Sequence, residues 1–451
     1  MQITVNEPAK SVPVIAQADV CVVGGSCTGV FAAVRAARLG LSVVIVEAHN
    51  CFGGVATNAM VNIWHSLYNV GQTQQIIAGL TEETISRLQA RKAVDVKRPP
   101  NWLEHYVLNT EELKIELDEI ITRHRIKPYL HTLFVAPYVN PENGELEGAI
   151  VENKDGRGVI LAKRFIDASG DGDLAARLEL DTYYASHLQP GTTCAKISNL
   201  HEVENFAQLY AEYRSEYNLP ETFIWSSRVP GQPDVHMLAA SRVSLNMSNA
   251  QQLTEAEIEG RRQVRAMLDL IKRKYPDSNT TLLQLASRIG VRETRHVRCQ
   301  YRIPGKELLS DTRYPDAIAN GTYESDIHHT DKSGITFRYL WGLEQLARPG
   351  LPAIETRWRP PLDPEPTFYQ IPYRAMVPLN SPYPNLIVAG RMLDADEMAH
   401  GAIRVMVNMN QVGEAAGVAA YLSLHHNQAF ADVDAQTLRK TLAAGGSAVV
   451  G

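Results

Sequence analysis

Residues 22–29 read VVGGSCTG, and the reading of this stretch decides the fold. A strand-like run, Asp19 to Val23, enters it, and an alanine-rich helical run, Val30 to Leu39, leaves it. A glycine-rich turn between a buried strand and a helix aims helix N-terminal N–H groups at a pyrophosphate. The pattern G-x-G-x-x-G asks for glycine at 24, 26 and 29. Gly24 and Gly29 are present, and position 26 is a serine followed by Cys27. The first glycine of the pattern makes the tight turn, the second admits the phosphate, and the third lets strand and helix close up. Gly25 adds flexibility. The Cβ of Ser26 stands where it can crowd a phosphate, although its backbone N–H remains available. Alone, the loop is an imperfect match.

The next segment strengthens it. SVVIVE (42–47) is a continuous apolar run, as expected of a parallel strand buried on both faces. Strand, helix and strand then make a right-handed βαβ unit. Glu47 ends the second strand at the place where a carboxylate accepts ribose hydroxyls and repels a 2′-phosphate. NADP is therefore disfavoured.

Composition narrows the class. With 451 residues the chain exceeds one ordinary core, and two or three domains are expected. A net charge of −6 argues against a nucleic-acid footprint. No apolar run reaches a membrane span, and the first twenty residues lack the layout of a secretory signal, so a cytoplasmic protein without membrane or nucleic-acid partners is expected. The five cysteines are scattered with no C-x-x-C pair, which argues against a redox dithiol and a zinc knuckle.

Further along, residues 109–125 read as a helix with Asn109 and Glu112 as a capping box and Leu113, Leu117, Ile120 and Ile121 as its buried stripe. YLHTLFVAPYV (129–139), LEGAIVE (146–152) and GVILAKRFIDA (158–168) are strands separated by turn-formers, a three-stranded meander ending on a buried strand. A helix is expected over 253–276, capped by Thr254 and Glu257, with Val264, Met267, Leu268 and Ile271 inward. Residues 349–378 hold eight prolines and suggest an irregular surface segment. NLIVAG (385–390) is a last strand, leading to an alanine-glycine helix over 412–426. Arg35 and Arg38 fall on the polar side of the first helix.

Several segments carry a family resemblance. VEAHNCFGGVAT (46–57) is similar to the segment after the second strand in FAD enzymes of the glutathione-reductase fold. FIDASGDGDLA (165–175) resembles their late D-A-T-G-D motif, with Ser169 in place of threonine. Residues 385–420 look like the strand and helix that carry the flavin ring. RIGVRETR (288–295) and YQIPYRAMVPL (369–379) match the family called FAD-dependent oxidoreductases. AHGAIR (399–404) resembles the H-G-A-x-R stretch of fumarate reductase flavoproteins.

The resemblance implies an α/β fold: a Rossmann-like FAD-binding domain, with a parallel sheet and a three-stranded meander, and a mixed α+β substrate domain. The first takes 1–80, 125–185 and 380–451. The second takes 81–124 and 186–379. Non-covalent FAD is the expected cofactor, although His49 and Cys51 stand near enough in sequence to raise covalent attachment. The expected contacts are Gly24, Gly25, Ser26, Cys27, Gly29, Glu47, Gly53, Gly54, Val135 (through its backbone, to the adenine), Ala168, Ser169, Gly170, Asp171, Gly390 and Arg391.

The candidate catalytic residues are His400, Arg404, His328, His329, Arg292 and Arg374. His400 and Arg404 either act on substrate, as acid-base and carboxylate clamp, or only brace flavin and helix. D-x-H-H at 326–329 suggests a metal, but neighbours on a strand point to opposite faces, so no metal site is expected; either one histidine lines the flavin pocket or the pair is solvated or packed. Arg292 and Arg374 hold either a substrate anion or a structural carboxylate. Trp64 fits a core role, and His65 beside it faces the flavin by position.

No second dinucleotide loop follows a strand, so no separate NAD(P)H domain is expected; the electron partner and the oligomeric state stay open. The expected function is hydride transfer between a small polar substrate and FAD. Two alternatives accompany it: reduction or formation of a C=C bond beside a carboxylate, and a flavoprotein subunit acting on a macromolecule such as tRNA.

Overall fold

The computed structural model describes residues 3–98 and 103–451. Strand β1 (Val14–Val23) leads through the quoted loop into helix α1 (Cys27–Arg38), and strand β2 (Val43–Val46) pairs parallel with β1. Val20, Val22 and Ile45 face one hydrophobic cluster, and Cys21, Val23 and Val44 face another, so the strands are buried on both faces. Helices α2 (Leu80–Ala90) and α3 (Thr110–Arg123) follow. The Asn109 side chain accepts from the amides of Glu111 and Glu112 at 3.1 and 3.5 Å, capping α3. The return half of the expected capping box is replaced, because the Asn109 amide donates to the Ala93 carbonyl.

The stretch 129–139 divides in two. β3 (Lys127–Tyr129) runs parallel to β2, His131 then takes a left-handed conformation with φ 50°, and β4 (Leu133–Val139) begins the meander. β5 (Leu146–Asn153) and β6 (Gly156–Asp167) complete it. β6 also pairs parallel with β1 along its length, giving the order β3-β2-β1-β6-β5-β4.

The cap comes next. β7 (Cys194–Ser198), β8 (Trp225–Val229), β9 (Gln232–Ala239), helix α4 (Ala250–Lys274) and β10 (Thr281–Leu285) form an antiparallel sheet of order β8-β9-β7-β10 with α4 packed on it. Val264, Met267, Leu268 and Ile271 of α4 are buried as their spacing requires. The cap of α4 is Asn249, not Thr254: Asn249 accepts from the Gln252 amide at 3.1 Å, while the Thr254 hydroxyl donates to the Ala250 carbonyl inside the helix.

β11 (Ala317–Gly321) precedes a second antiparallel sheet, built in sequence order from β12 (Ser325–His328), β13 (Ile335–Arg338), β14 (Leu343–Ala347) and β15 (Ile354–Arg357). β16 (Tyr369–Pro372) returns to pair with β11. The proline-rich segment is thus less irregular than its composition suggests. Four of its prolines, at 360, 361, 364 and 366, fall between β15 and β16, where no ladder N–H is needed.

β17 (Leu386–Val388) pairs parallel with the C-terminal half of β6, on the edge that β5 has left. Helices α5 (Glu397–Ile403) and α6 (Met406–His425) close the chain's core. α6 is buried around most of its circumference and lies directly on α1: a Cβ at Gly413 would sit 2.1 Å from the Thr28 carbonyl oxygen, so only glycine permits the approach. Arg35 is buried at 3% exposure rather than solvated. It pairs with Glu414 of α6, whose other oxygen accepts from the Leu80 amide at 3.0 Å. α2 packs on α6 and α3, α3 packs on α1, and β11 packs on α6, so these segments pack with the helices α1 and α6. Among the described residues, no helix is long and apolar enough to cross a membrane.

Candidate active site

Strand order reverses at β1, with β2 and β3 on one side and β6 and β17 on the other. Ligands of open α/β sheets bind at the carboxyl ends of the strands at such a point. Four strand ends converge there: Glu47 after β2, Gly24 after β1, Ala168, Ser169 and Gly170 after β6, and Gly390 with Arg391 after β17. Together with Ser26, Cys27, Gly53 and Gly54 they line one end of a cavity of about 620 Å³.

Gly24 has φ 102°, and a Cβ there would lie 2.3 Å from the Ala168 carbonyl oxygen, so the loop needs glycine twice over. Ser26 caps α1, its hydroxyl accepting from the Gly29 amide at 3.4 Å. Gly54 lies against it: a Cβ at 54 would be 2.9 Å from the Ser26 Cβ. The space that the fingerprint normally makes with a glycine at 26 is made here by a glycine elsewhere, and the α1 N-terminus still faces the cavity.

Glu47 accepts from the Gly25 amide at 2.8 Å and from the His49 amide at 2.9 Å, and its Oε1 lies 2.6 Å from His49 Nδ1. Burial pushes its carboxyl up, but the His49 hydrogen bonds and charge outweigh it, so the group stays ionised below the ordinary value. At the far side of this end stands the first turn of α6, with Met406, Met409 and Asn410 in the wall. Both side-chain amide atoms of Asn410 are buried without a hydrogen-bond partner. An orphaned amide at the end of a row of backbone strand ends suits a long, polar-edged dinucleotide such as FAD.

Some expected contacts lie elsewhere. The cavity does not reach Val135, whose carbonyl accepts from Arg177 at 2.7 Å. Gly25 and Gly29 shape the loop from behind. The Asp171 carboxylate turns away: it accepts from the Thr294 hydroxyl at 2.6 Å and pairs with Arg391 and, at 3.6 Å, Arg288. Burial opposes its charge and these arginines restore it, so Asp171 fixes Arg391 in the wall without lining it. His49 and His65 line the cavity, Cys51 is buried beside Asn58 at 3.3 Å, and Trp64 is core, edge-on to Phe31.

The other end is built from side chains. Glu324, Asp326 and His328 alternate along β12 and the residue before it, and all three line the cavity. His328 Nε2 lies 3.1 Å from Asp326 Oδ1. Asp326 Oδ2 also takes Arg404 at 3.0 Å and the Tyr323 hydroxyl at 2.9 Å. Burial raises the Asp326 carboxyl, but His328 and Arg404 hold it well below the usual range. His328 is pushed down to about 4, by burial first and the Arg292 charge second, and is neutral at neutral pH. The Glu324 side chain forms no ion pair among the described residues, and burial, with the nearby Asp326 charge, outweighs a hydrogen bond from its own backbone and pushes it up to about 7.

Arg292 donates to the Pro190 carbonyl at 2.7 Å and the Thr192 hydroxyl at 2.8 Å; Arg242 donates to the His329 carbonyl. Neither forms an ion pair among the described residues, and both line the cavity. Phe223, Trp225 and Phe337 complete the wall.

Three of the sequence candidates do not reach the cavity. His400 is 1% exposed, packed 3.9 Å from Glu293 and pushed down to about 3 by burial. His329 follows His328, so it points to the opposite face, where its Nε2 meets the Thr336 hydroxyl at 2.6 Å. Arg374 pairs with Asp316 at 2.9 Å and lies over the Tyr301 ring. Conversely, sequence reasoning did not single out Glu324 or Arg242, and weighed Asp326 only as part of a metal motif. For Glu324 and Asp326 the signal was present: acid, acid and histidine at alternate positions share one strand face with His328. Arg242 lies in an ordinary loop of the cap and carries no such signal.

A model of the family described as FAD dependent oxidoreductase matches residues 19–442. No curated protein sequence matches the chain. Among solved structures, the chain is similar to a geranylgeranyl bacteriochlorophyll reductase-like protein from Thermoplasma acidophilum, with 13% identity, a TM-score of 0.46, and coverage of 95% of this chain and 83% of that one. It is also similar to the flavin-dependent brominase Bmp2, with 10% identity, a TM-score of 0.46, and coverage of 94% and 83%.

Proposed function

We propose, from the premise that this chain belongs to the FAD-dependent oxidoreductase family, that it oxidises a C–OH or C–N bond in a small substrate that carries a carboxylate. FAD is the cofactor and, when bound, supplies the two-electron acceptor for the hydride. In this reading the N-terminus of α1 with Ser26 and Cys27 holds the pyrophosphate, and Glu47 holds the ribose. Ala168–Gly170 and Gly390–Arg391 hold the middle of the cofactor, without a covalent link. The first turn of α6 and Asn410 take the polar edge of the ring.

The observation that carries the reaction type is the Asp326–His328 pair beside two arginines without carboxylate partners. The Asp326 charge 3.1 Å from Nε2 favours the proton on that nitrogen, which leaves the Nδ1 lone pair as proton acceptor. Its depressed proton affinity keeps it in the base form throughout the neutral range. Arg292 and Arg242 supply two guanidinium forks for a substrate carboxylate, and the aromatic wall excludes water from it. Arg404, which the fumarate-reductase-like stretch suggested as the carboxylate anchor, is instead engaged by Asp326 and the Gln189 side chain. C=C chemistry anchored on Arg404 is the second reading for this reason.

The test is anaerobic bleaching of the flavin absorbance by a panel of 2-hydroxy acids, 2-amino acids and neutral polyols. Bleaching by members of the acid classes, lost in Arg292→Ala at low substrate concentration, is expected. Bleaching by neutral polyols alone would overturn the carboxylate assignment.

A further inference from the structure

Behind the cavity wall lies a cluster that none of the chemistry above uses: Glu293, His296 and His400, each at most 2% exposed. Their ligand atoms all lie within 4.8 Å of one another. Glu293 Oε1 is 3.1 Å from His296 Nε2 and 3.9 Å from His400 Nε2. Around an ion with bonds of about 2.1 Å, neighbouring ligand atoms stand about 3 to 3.5 Å apart.

The outer contacts are those of metal ligands. His296 Nδ1 lies 2.9 Å from the Leu393 carbonyl oxygen, so Nδ1 carries a proton and Nε2 faces the cluster. Glu293 Oε2 accepts from the Gln189 amide at 3.0 Å, and Oε1 faces the cluster, hydrogen-bonded to His296 Nε2 at 3.1 Å. His400 is the telling residue: both of its ring nitrogens are buried with no hydrogen-bond partner. A buried imidazole whose nitrogens lack close hydrogen-bond partners among the described residues is costly, and its Nε2 lies 3.9 Å from Glu293 Oε1, inside the cluster.

We infer that Glu293, His296 and His400 bind a divalent transition-metal ion. Two imidazoles and one carboxylate suit zinc or ferrous iron and not calcium or magnesium. The site spans two elements, the 293–296 segment and α5. Arg292 adjoins the first, and Arg404 lies one helical turn beyond His400 on the second. The ion therefore clamps together the two segments that present these arginines to the cavity, and the three residues position the site without touching substrate.

The experiment is metal analysis of the flavin-loaded protein purified from zinc-supplemented medium, followed by chelator treatment and titration with Zn²⁺ alone. About one zinc per chain is expected, together with a lower melting temperature after chelation that Zn²⁺ restores. His400→Gln and, separately, Glu293→Gln should lose the zinc while an intact flavin spectrum reports a folded protein. Should either variant lose its flavin, the chelated wild type serves as the comparison. Substoichiometric zinc, zinc retained in His400→Gln, or a melting temperature indifferent to Zn²⁺ would overturn the site and leave a hydrogen-bonded pair of His296 and Glu293 in its place.

Discussion

The end of the cavity proposed for the cofactor is lined by strand ends and glycines, Gly24, Gly54, Gly170 and Gly390, whereas the end proposed for the substrate is lined by charged and aromatic side chains from separate segments, Trp225, Arg242, Arg292, Asp326, His328 and Arg404. The first end presents backbone, and its shape depends on where a Cβ is absent. The second presents functional groups, and its chemistry depends on which side chains meet. The difference explains why Ser26 is tolerated. A backbone cradle needs a certain free volume, and Gly54 provides it in place of a glycine at 26. No such exchange is available to His328, because only one position on β12 both faces the cavity and reaches Asp326.

The sharpest break of the comparison is at Gly24. Gly24→Ala should abolish flavin binding, since the new Cβ would meet the Ala168 backbone at 2.3 Å and φ 102° excludes ordinary residues. Wild-type flavin absorbance in the purified variant would show that the cradle is not what holds the cofactor. At the other end, His328→Asn should keep full flavin content and slow anaerobic flavin reduction by about 10²- to 10⁴-fold. An unchanged rate would remove the Asp326–His328 pair from the chemistry.

Glu324 offers a finer test. Below its value of about 7 it is neutral, and above it an anion lines the same cavity as Arg292 and Arg242, the proposed holders of the substrate carboxylate. KM for an anionic substrate should therefore rise through neutral pH, by roughly tenfold for one charge in a partly screened site. Glu324→Gln should flatten that rise with little change in flavin content, and a persisting rise would assign it to another group. The smallest effect is expected at Ser26. Ser26→Gly removes a helix cap at a cost of a few tenths of a kcal/mol and restores the usual fingerprint, so flavin content should hold and the thermal melt should move by about 1 °C or less.

Much of the cofactor end was legible because its signals are local. Gly24, Glu47, the 165–175 segment and the 385–391 strand each carry their turn or strand-end chemistry within a few residues, and parallel pairing brings the ends together. Where a local signal exists at the substrate end, the alternation of Glu324, Asp326 and His328, it also sorts His328 from His329. It was overshadowed there by the doublet of histidines. The fold shows the same division. The stripe of α4 follows from spacing, whereas β16, at the end of the proline-rich segment, owes its pairing to β11, which is distant in sequence.

The sequence by itself determined the βαβ unit, the meander, the inward face of α4 and the FAD family, because hydrophobic period, turn residues and glycine spacing act over a few residues of chain. Only the tertiary structure decided that Arg35 is buried against Glu414, that Arg374 belongs to Asp316, that Arg404 belongs to Asp326, and that His400 lies with Glu293 and His296 behind the wall. A charged or imidazole side chain looks the same in sequence whether its partner is solvent, a carboxylate or a substrate. Its role is settled by the desolvation it undergoes and the group it meets, and both depend on how distant segments pack.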